Sequence, residues 1–189
     1  MILNNKYYIL RHGEALSNVK NIVSCWPEKF KNPLTKKGVG QIKSAAEELK
    51  NKSMDLIFTS PLLRTKQTAE IAGKRLKIKP KTDKRLREVS FGLFNGKPVS
   101  DFLGYFKNDS ERADKATPKG ENYKDVFERV FGFFEKINRN YKDKNILIIS
   151  HQVPLFLLEG YVRGLTIAET IENFPDEKML RKGEIRELN

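Results

Sequence analysis

Two short hydrophobic runs, each followed directly by a histidine, constrain this chain more than any other feature. Residues 6–10 lead into Arg11 and His12, and residues 145–150 lead into His151. Runs of this length and composition are typical of buried strands in a parallel sheet. Open α/β sheets bind their ligands just beyond the carboxyl ends of the strands. The sequence therefore places its only two histidines where such a fold has its active site.

The chain between these runs alternates strand and helix patterns, which predicts a mostly parallel sheet with helices on both faces. Strands are predicted over residues 6–11, 55–59, 78–82 and 145–150, and helices over 35–51, 61–75, 121–141 and 154–163. Thr35 is the predicted N-cap of the first helix. Ser60 followed by Pro61 predicts the start of the second, and Pro154 predicts that of the last. The expected fold is an α/β protein, a three-layer α/β/α sandwich forming one domain over residues 1–189.

Residues 89–119 interrupt this alternation and are predicted to form a small lid-like insertion. The segment contains three glycines, two prolines and five large aromatic residues: Phe91, Phe94, Phe102, Tyr105 and Phe106. Apolar residues in a loop-rich stretch predict a satellite core, and such a core can also form the wall of a ligand pocket. We expect this insertion to fold over the site.

Composition limits the classes of partner. The net charge of +12 comes from lysines spread along the chain, which is typical of a cationic surface and gives no signature of a specific nucleic-acid site. The lone cysteine, Cys25, excludes an intrachain disulfide and fits a reducing compartment. Residues 1–6 lack a secretory pattern, and no apolar run approaches the ~20 residues that span a bilayer. We expect a cytoplasmic protein without a membrane partner, and a homodimer stays open.

The residues around the histidines supply what phosphoryl transfer needs: a nucleophile, cations for the phosphate oxygens and an acid for the leaving oxygen. Arg11 would favour the neutral, nucleophilic form of His12 and can bind a phosphate dianion. Arg64 lies four residues past Ser60, which predicts a position near the same sheet edge. His151 precedes a predicted helix start, where free amides favour anions. Singly, each of these residues also fits an ordinary structural role.

The acid is less well defined, because the chain has 24 carboxylate side chains. Glu88 is one candidate, since it lies where the predicted core ends and the insertion begins. Asp101, Glu111 and Glu121 stay open as alternatives. Two histidines, one cysteine and no paired acidic motif offer little to a zinc ion, so no metal site is expected.

Seven short motifs run in order along nearly the whole chain. The first is Arg11-His12-Gly13-Glu14 with Asn18, and the others lie at residues 24–26, 33–41, 59–68, 86–96, 120–121 and 150–151. Together they resemble the signature sequences of the histidine phosphatase superfamily, also called phosphoglycerate mutase-like proteins, beginning with R-H-G-E-x-x-x-N. The resemblance implies a three-layer α/β/α fold without metal or organic cofactor.

The resemblance also implies a role for each residue of the candidate site. His12 would become the phosphohistidine, and Arg11, Arg64 and His151 would form the phosphate pocket. Glu88 would act as the general acid and then as the base that activates water.

Three further positions are implied to bind substrate. Asn18 would contact the transferring phosphate, and Ser24 begins the second motif. Gln152 stands where the family has a glycine, so it would narrow the pocket or add an amide donor.

Cys25 and Asn95 replace a glycine and an acidic residue of the family pattern. The resemblance favours a hydrolase over a mutase, because Cys25 makes the mutase-type backbone contact doubtful and the stretch from Glu88 to His151 is shorter than in the glycolytic mutases. The predicted function is hydrolysis of a small phosphorylated metabolite through phosphohistidine. A phosphoglycerate mutase is the alternative enzyme, and a phosphate-binding interaction module is the non-enzyme alternative. Specificity is expected to come from residues 89–119 and from around Trp26.

Overall fold

A five-stranded sheet forms the centre of the computed structural model, which describes residues 2–175 and 178–189. The strands are β1 (Lys6–Arg11), β2 (Leu56–Thr59), β3 (Lys81–Thr82), β4 (Asn145–Ser150) and β5 (Ile185–Glu187). Their order across the sheet is β3-β2-β4-β1-β5. The first four strands run parallel, and β5 pairs antiparallel with β1 at one edge.

Helices cover both faces of the sheet. In chain order they are α1 (Leu16–Val19), α2 (Lys36–Leu49), α3 (Leu63–Leu76), α4 (Val99–Leu103), α5 (Tyr123–Asn140), α6 (Gln152–Val162) and α7 (Ile167–Asn173). Tyr8 and Leu10 of β1 pack against α2 and α3, whereas Tyr7 and Ile9 pack against α5 and α6. Because β1 is buried on both faces, it is apolar at consecutive positions. This arrangement confirms the predicted three-layer α/β/α sandwich.

Two of the predicted strands, 6–11 and 145–150, match β1 and β4 at both ends. The helix predicted from Thr35 also forms, and Thr35 Oγ1 accepts a hydrogen bond from the Gly38 N–H at 3.0 Å. The predicted start of α3 is wrong, because that helix begins at Leu63. Glu28 Oε2 accepts the Leu63 N–H at 3.0 Å, while Ser60 Oγ lies beside a histidine ring instead.

The start of α6 is also two residues from its predicted place. The helix begins at Gln152, so Pro154 occupies its third position. A proline is tolerated there because the N–H groups of the first turn have no partner within the helix.

The aromatic residues of the insertion pack on one another. Ring centroids lie 4.8 Å apart for Phe91 and Phe102, 5.3 Å for Phe102 and Phe106, and 5.5 Å for Phe94 and Tyr105. The cluster also joins the core beneath α5 and α6. The insertion therefore extends the main core and does not form the separate satellite core that the sequence predicted, and its action as a lid stays a prediction.

The end of the chain, residues 164–189, was left unassigned by the sequence patterns, and a buried carboxylate bonds it to the sandwich. Glu159 of α6 accepts hydrogen bonds from Arg163 at 2.6 Å and from Arg186 of β5 at 2.7 Å. This pairing holds β5 at the edge of the sheet. Within the described residues, no helix combines the length and the apolarity needed to cross a bilayer.

Candidate active site

The two histidines meet at one edge of the sheet. His12 follows β1 and His151 follows β4, and these strands are parallel neighbours. Their ring centroids lie 5.2 Å apart, with 64° between the ring planes. Both side chains are buried.

Hydrogen bonds fix the tautomer of His12. Its Nδ1 lies 2.8 Å from the carbonyl oxygen of Gly13, which can only accept, so Nδ1 carries the proton. The lone pair is then on Nε2, where Arg64 Nε donates a hydrogen bond at 3.1 Å. Burial, together with the cations Arg64 and Arg11, holds the pKa of His12 well below its ordinary value. His12 is therefore a neutral imidazole whose Nε2 can attack an electrophile.

Arg64 reaches this histidine from the first turn of α3. Its Nη2 donates to the Ser24 carbonyl oxygen at 2.9 Å, and its Nη1 lies 3.6 Å from Glu28 Oε1. Burial lowers the pKa of Arg64 to about 10, while Glu88 and Glu28 oppose that shift. The guanidinium therefore stays charged at neutral pH. Sequence reasoning missed Glu28, whose only signal was its position two residues after Trp26.

His151 is held through its other ring nitrogen. Nε2 lies 2.8 Å from Ser60 Oγ, and Nδ1 is buried with no hydrogen-bond partner among residues 2–175 and 178–189. Burial, followed by the charge of Arg64 and the neighbouring His12, holds the pKa of His151 well below its ordinary value. If the serine hydroxyl donates to Nε2, the proton of the neutral ring is on Nδ1.

Glu88 is the carboxyl group at this site. The Val89 N–H donates to its Oε1 at 3.0 Å. Burial raises the pKa of Glu88, although the cations Arg64 and Arg11 and this hydrogen bond oppose the shift. A carboxyl group that keeps its proton to higher pH is suited to general acid catalysis.

A cavity of about 210 Å³ connects these groups. Of the predicted site residues, those that line it are Arg11, His12, Asn18, Ser24, Arg64, Glu88 and Gln152. The insertion and the start of α5 supply much of the remaining wall, with Phe91, Val99, Phe102, Leu103, Arg112 and Tyr123. The structure thus brings seven of the predicted residues to the cavity wall, and His151, which is not a lining residue, contacts the His12 ring beside it.

The three predicted substrate-binding residues differ in what they already contact. Asn18 Oδ1 accepts the Ala15 N–H at 2.9 Å. Gln152 Nε2 donates to the Met179 sulfur at 2.8 Å, so part of its amide is engaged. Ser24 Oγ is buried with no hydrogen-bond partner in the described part of the chain.

Arg112 is a cavity residue that sequence reasoning missed. It forms an ion pair with Asp109, and its guanidinium lies 5.7 Å from the centre of the Tyr123 ring. It is the only arginine between residues 89 and 119, a signal that was available in the sequence.

The alternative acids lie outside the cavity wall. Glu111 is paired with Lys115 at 2.9 Å, and Asp101 lies 3.3 Å from the Ser100 hydroxyl. Glu121 forms an ion pair with Arg129 at 2.9 Å. Among the four candidates, the geometry favours Glu88.

The two departures from the family pattern contact each other. The Cys25 N–H donates to Asn95 Oδ1 at 3.1 Å, and Asn95 Nδ2 donates to the Pro27 carbonyl at 2.8 Å. Burial raises the pKa of the Cys25 thiol, which accepts the Phe91 N–H at 3.3 Å. The backbone N–H at position 25 is therefore engaged within the protein.

An α/β sandwich with a buried, neutral histidine beside arginines at its strand ends is the architecture of a phosphoryl-transfer enzyme. The family model described as histidine phosphatase superfamily (branch 1) matches residues 7–178. The chain therefore belongs to the histidine phosphatase superfamily.

Known relatives cover most of the chain. Phosphoserine phosphatase 1 of Hydrogenobacter thermophilus is 27% identical over 169 residues, which are 87% of this chain and 79% of that protein. A probable phosphoglycerate mutase of Yersinia pestis is 26% identical and covers 84% of this chain and 74% of its own. The crystal structure of the alpha-ribazole phosphatase from Shigella flexneri superposes with a TM-score of 0.80 at 27% identity, over 96% of this chain and 89% of that one. The similarity supports a phosphatase of this superfamily.

Proposed function

We propose that this protein is a cytoplasmic phosphomonoesterase that hydrolyses small phosphorylated metabolites through a phosphohistidine at His12. The observation that carries the proposal is the state of His12: a neutral imidazole with its lone pair on Nε2, in a cavity shared with Arg11, Arg64 and Glu88. The lone cysteine and the lack of a membrane-spanning helix in the described residues support the compartment.

Substrate binding would free the nucleophile. In the structure, the lone pair of His12 Nε2 accepts the N–H of Arg64. A phosphate dianion offers that guanidinium a stronger, charged acceptor. As Arg64 and Arg11 bond to the phosphate oxygens, Nε2 faces phosphorus, and a proton on His151 Nδ1 would bond to a third oxygen.

Two displacements then complete the reaction. His12 Nε2 forms a bond to phosphorus while the bond from phosphorus to the ester oxygen breaks, and Glu88 gives its proton to that oxygen. Water next attacks phosphorus, Glu88 takes the proton from the water, and the bond from phosphorus to Nε2 breaks. Inorganic phosphate leaves, and His12 and Glu88 return to their initial states. Glu88 gives the proton of the first displacement and takes the proton that water loses in the second, and we propose that no metal takes part.

The walls of the cavity support a small substrate. A volume of about 210 Å³ leaves little room beyond the phosphate and a short organic group. Arg112 adds a third cation to those of Arg11 and Arg64, and the aromatic residues of the insertion close one side.

The backbone around Cys25 supports hydrolysis over mutase activity. A mutase-type contact would use the N–H at this position, and that N–H already donates to Asn95. Because one relative is named a probable phosphoglycerate mutase, the two activities must be compared directly. With 3-phosphoglycerate and a bisphosphate primer, we expect phosphate release and little isomerisation.

The decisive experiment traps the intermediate. Enzyme denatured during turnover should carry phosphate on His12 that is labile in acid and stable in base. His12→Ala should lose this labelling and nearly all turnover, whereas Cys25→Ser should keep both. Full turnover of His12→Ala would exclude the mechanism. Tight phosphate binding without turnover by the unaltered protein would instead favour a phosphate-binding module.

A further inference from the structure

A buried ion pair lies next to the segment that carries Glu88. Arg129 of α5 meets Glu121, which precedes that helix, through two hydrogen bonds of 2.9 Å: Nε to Oε1 and Nη2 to Oε2. Both side chains are mostly buried, with 15% and 25% of their surface exposed. Such a bidentate pair fixes direction as well as distance.

The same guanidinium also bonds to the backbone before and at Glu88. Nη1 donates to the carbonyl oxygens of Arg85 at 2.6 Å and Arg87 at 2.7 Å, and Nη2 donates to that of Glu88 at 3.1 Å. With the two bonds to Glu121, all five N–H groups of Arg129 are used. Lysine has only three N–H groups, so it cannot replace this arrangement.

Glu121 bonds to the backbone on the other side of Glu88. Its Oε2 accepts the Ser90 N–H at 2.9 Å, and its own N–H donates to the Ser90 carbonyl at 2.9 Å. Residues 87–91 lie outside any helix or strand, so no regular element sets the direction of the Glu88 side chain. The ion pair therefore provides contacts that regular structure does not.

We propose that Glu121 and Arg129 are positioning residues for the general acid, Glu88. The inference rests on the function proposed above and concerns a pair that does not touch substrate. Arg129 also acts through its charge, since it opposes the burial that raises the pKa of Glu88. Without the hydrogen bonds of Arg129, the Glu88 carboxyl should no longer point its proton at the leaving oxygen. Without the charge of Arg129, the pH at which the Glu88 carboxyl ionises should change.

The test uses two substrates that differ in their need for an acid. An alkyl phosphate has a basic leaving oxygen, whereas p-nitrophenyl phosphate releases a stable phenolate. General acid–base help is worth about 10²–10⁴-fold, so Arg129→Lys should lower kcat/KM for the alkyl substrate by about tenfold or more. For p-nitrophenyl phosphate the loss should stay below about threefold, because little acid help is lost. Glu121→Gln should show the same selectivity.

Three controls complete the design. Glu88→Gln is the reference for complete loss of the acid. Arg75→Lys alters an exposed ion pair with Glu47 and should leave kcat/KM unchanged for both substrates. Inhibition by orthovanadate, which needs the arginines of the phosphate pocket, should be unchanged in Arg129→Lys. The ratio of the two kcat/KM values within one preparation does not depend on the fraction of folded enzyme.

The pH profile gives a separate readout. The basic limb of kcat/KM reports ionisation of the acid in the free enzyme. Arg129→Gln removes the cation, so the pKa of Glu88 should rise and the limb should move to higher pH. Arg129→Lys keeps the charge and should leave it in place.

Two results would overturn the proposal: equal losses with both substrates, which mark a merely structural role, or no loss with either. If Glu88→Gln lowers kcat/KM equally for both substrates, Glu88 is not the general acid. The positioning role of Glu121 and Arg129 would then fall as well. Phosphohistidine trapping at His12 tests the proposed function independently, so the failures can be told apart.

Discussion

One hydrogen bond at His12 decides which of its nitrogens can react. Because the Gly13 carbonyl accepts a hydrogen bond from the protonated Nδ1, the reactive lone pair is on Nε2, in the cavity wall. Burial and two arginines keep this ring neutral. The burial and the arginines that keep His12 available as a nucleophile also lower its pKa, so the imidazole is a weak base.

This environment predicts an unusual titration. The chain has only two histidines, so their ring signals are easily assigned by NMR. Both should stay neutral as the pH falls through 6.5, the ordinary value, because burial and Arg64 lower the pKa of each. Arg64→Met removes the cation and should raise the pKa of His12, whereas Arg64→Lys should raise it less. A wild-type His12 signal with its midpoint near 6.5 would contradict the proposed state of the nucleophile.

The same shifts set the direction of stability with pH. Their folded pKa values lie below those of the unfolded chain, so the unfolded state binds more protons in acid. The histidines therefore do not lower the free energy of unfolding above the pKa of the unfolded chain. As the pH falls below that value, the unfolded state takes up protons and the free energy of unfolding decreases.

The sequence alone singled out most of the charged and nucleophilic residues that line the cavity, since they lie at strand ends or in short motifs, but it missed Arg112. It could not find their partners. Ser60 looked like a helix cap, and its hydroxyl instead lies by His151. Glu28 and Asn95 bond to residues 35 and 70 positions away. Such contacts depend on how distant loops meet, which local patterns do not encode.

Helix α2 approaches the backbone that follows His12 closely. A Cβ at Gly38 would lie 2.1 Å from the Glu14 carbonyl oxygen, whereas a Cβ at Gly40 would meet nothing within 4 Å. The first turns of this helix therefore need glycine at one position and not at the other.

This contrast gives a matched pair of variants. In an open helix position, alanine is favoured over glycine by about 1 kcal/mol, so Gly40→Ala should raise the free energy of unfolding without changing activity. Gly38→Ala should lower both stability and kcat/KM, because the backbone after His12 must move. Urea unfolding and steady-state kinetics measure the two effects. A stabilised, fully active Gly38→Ala would show that the loop yields easily.

Two elements near the end of the chain were missed for different reasons: α7 begins with a capping box of Thr166 and Glu169 that the sequence shows, whereas β5 lacks a strong local signal. Strand β5 has three residues and is recognised only by its antiparallel pairing with β1. The predicted start of α3 was two residues early, because serine followed by proline is a common helix start. The structure instead begins the helix at Leu63, whose N–H bonds to the distant Glu28. Long periodic elements such as α5 were found because their apolar stripe repeats over many turns.

For the molecule as a whole, the contact between α6 and β5 joins the end of the chain to its core. Glu159 is buried, and Arg186 supplies one of its two cations. Arg186→Met should lower the free energy of unfolding by about 1.5–3 kcal/mol, because a buried carboxylate loses a charged partner. Lys6→Met, at an exposed pair with Glu187, is the control and should have a much smaller effect. Urea denaturation, followed by circular dichroism, measures the free energy of unfolding of both variants. Equal decreases would show that burial of the Glu159 pair does not matter.

The placement of both histidines after β1 and β4 affects when they leave their native positions as the protein unfolds. These strands lie inside the sheet, with a bonded neighbour on each side. Segments in such positions exchange their amide protons mainly through global opening, whereas edges and loops fray first. Heat or denaturant should therefore leave the two histidines in place until the sheet melts, whereas the segment that carries Glu88 lies outside any helix or strand and can open earlier. Loss of turnover before loss of the sheet would then report opening of that segment.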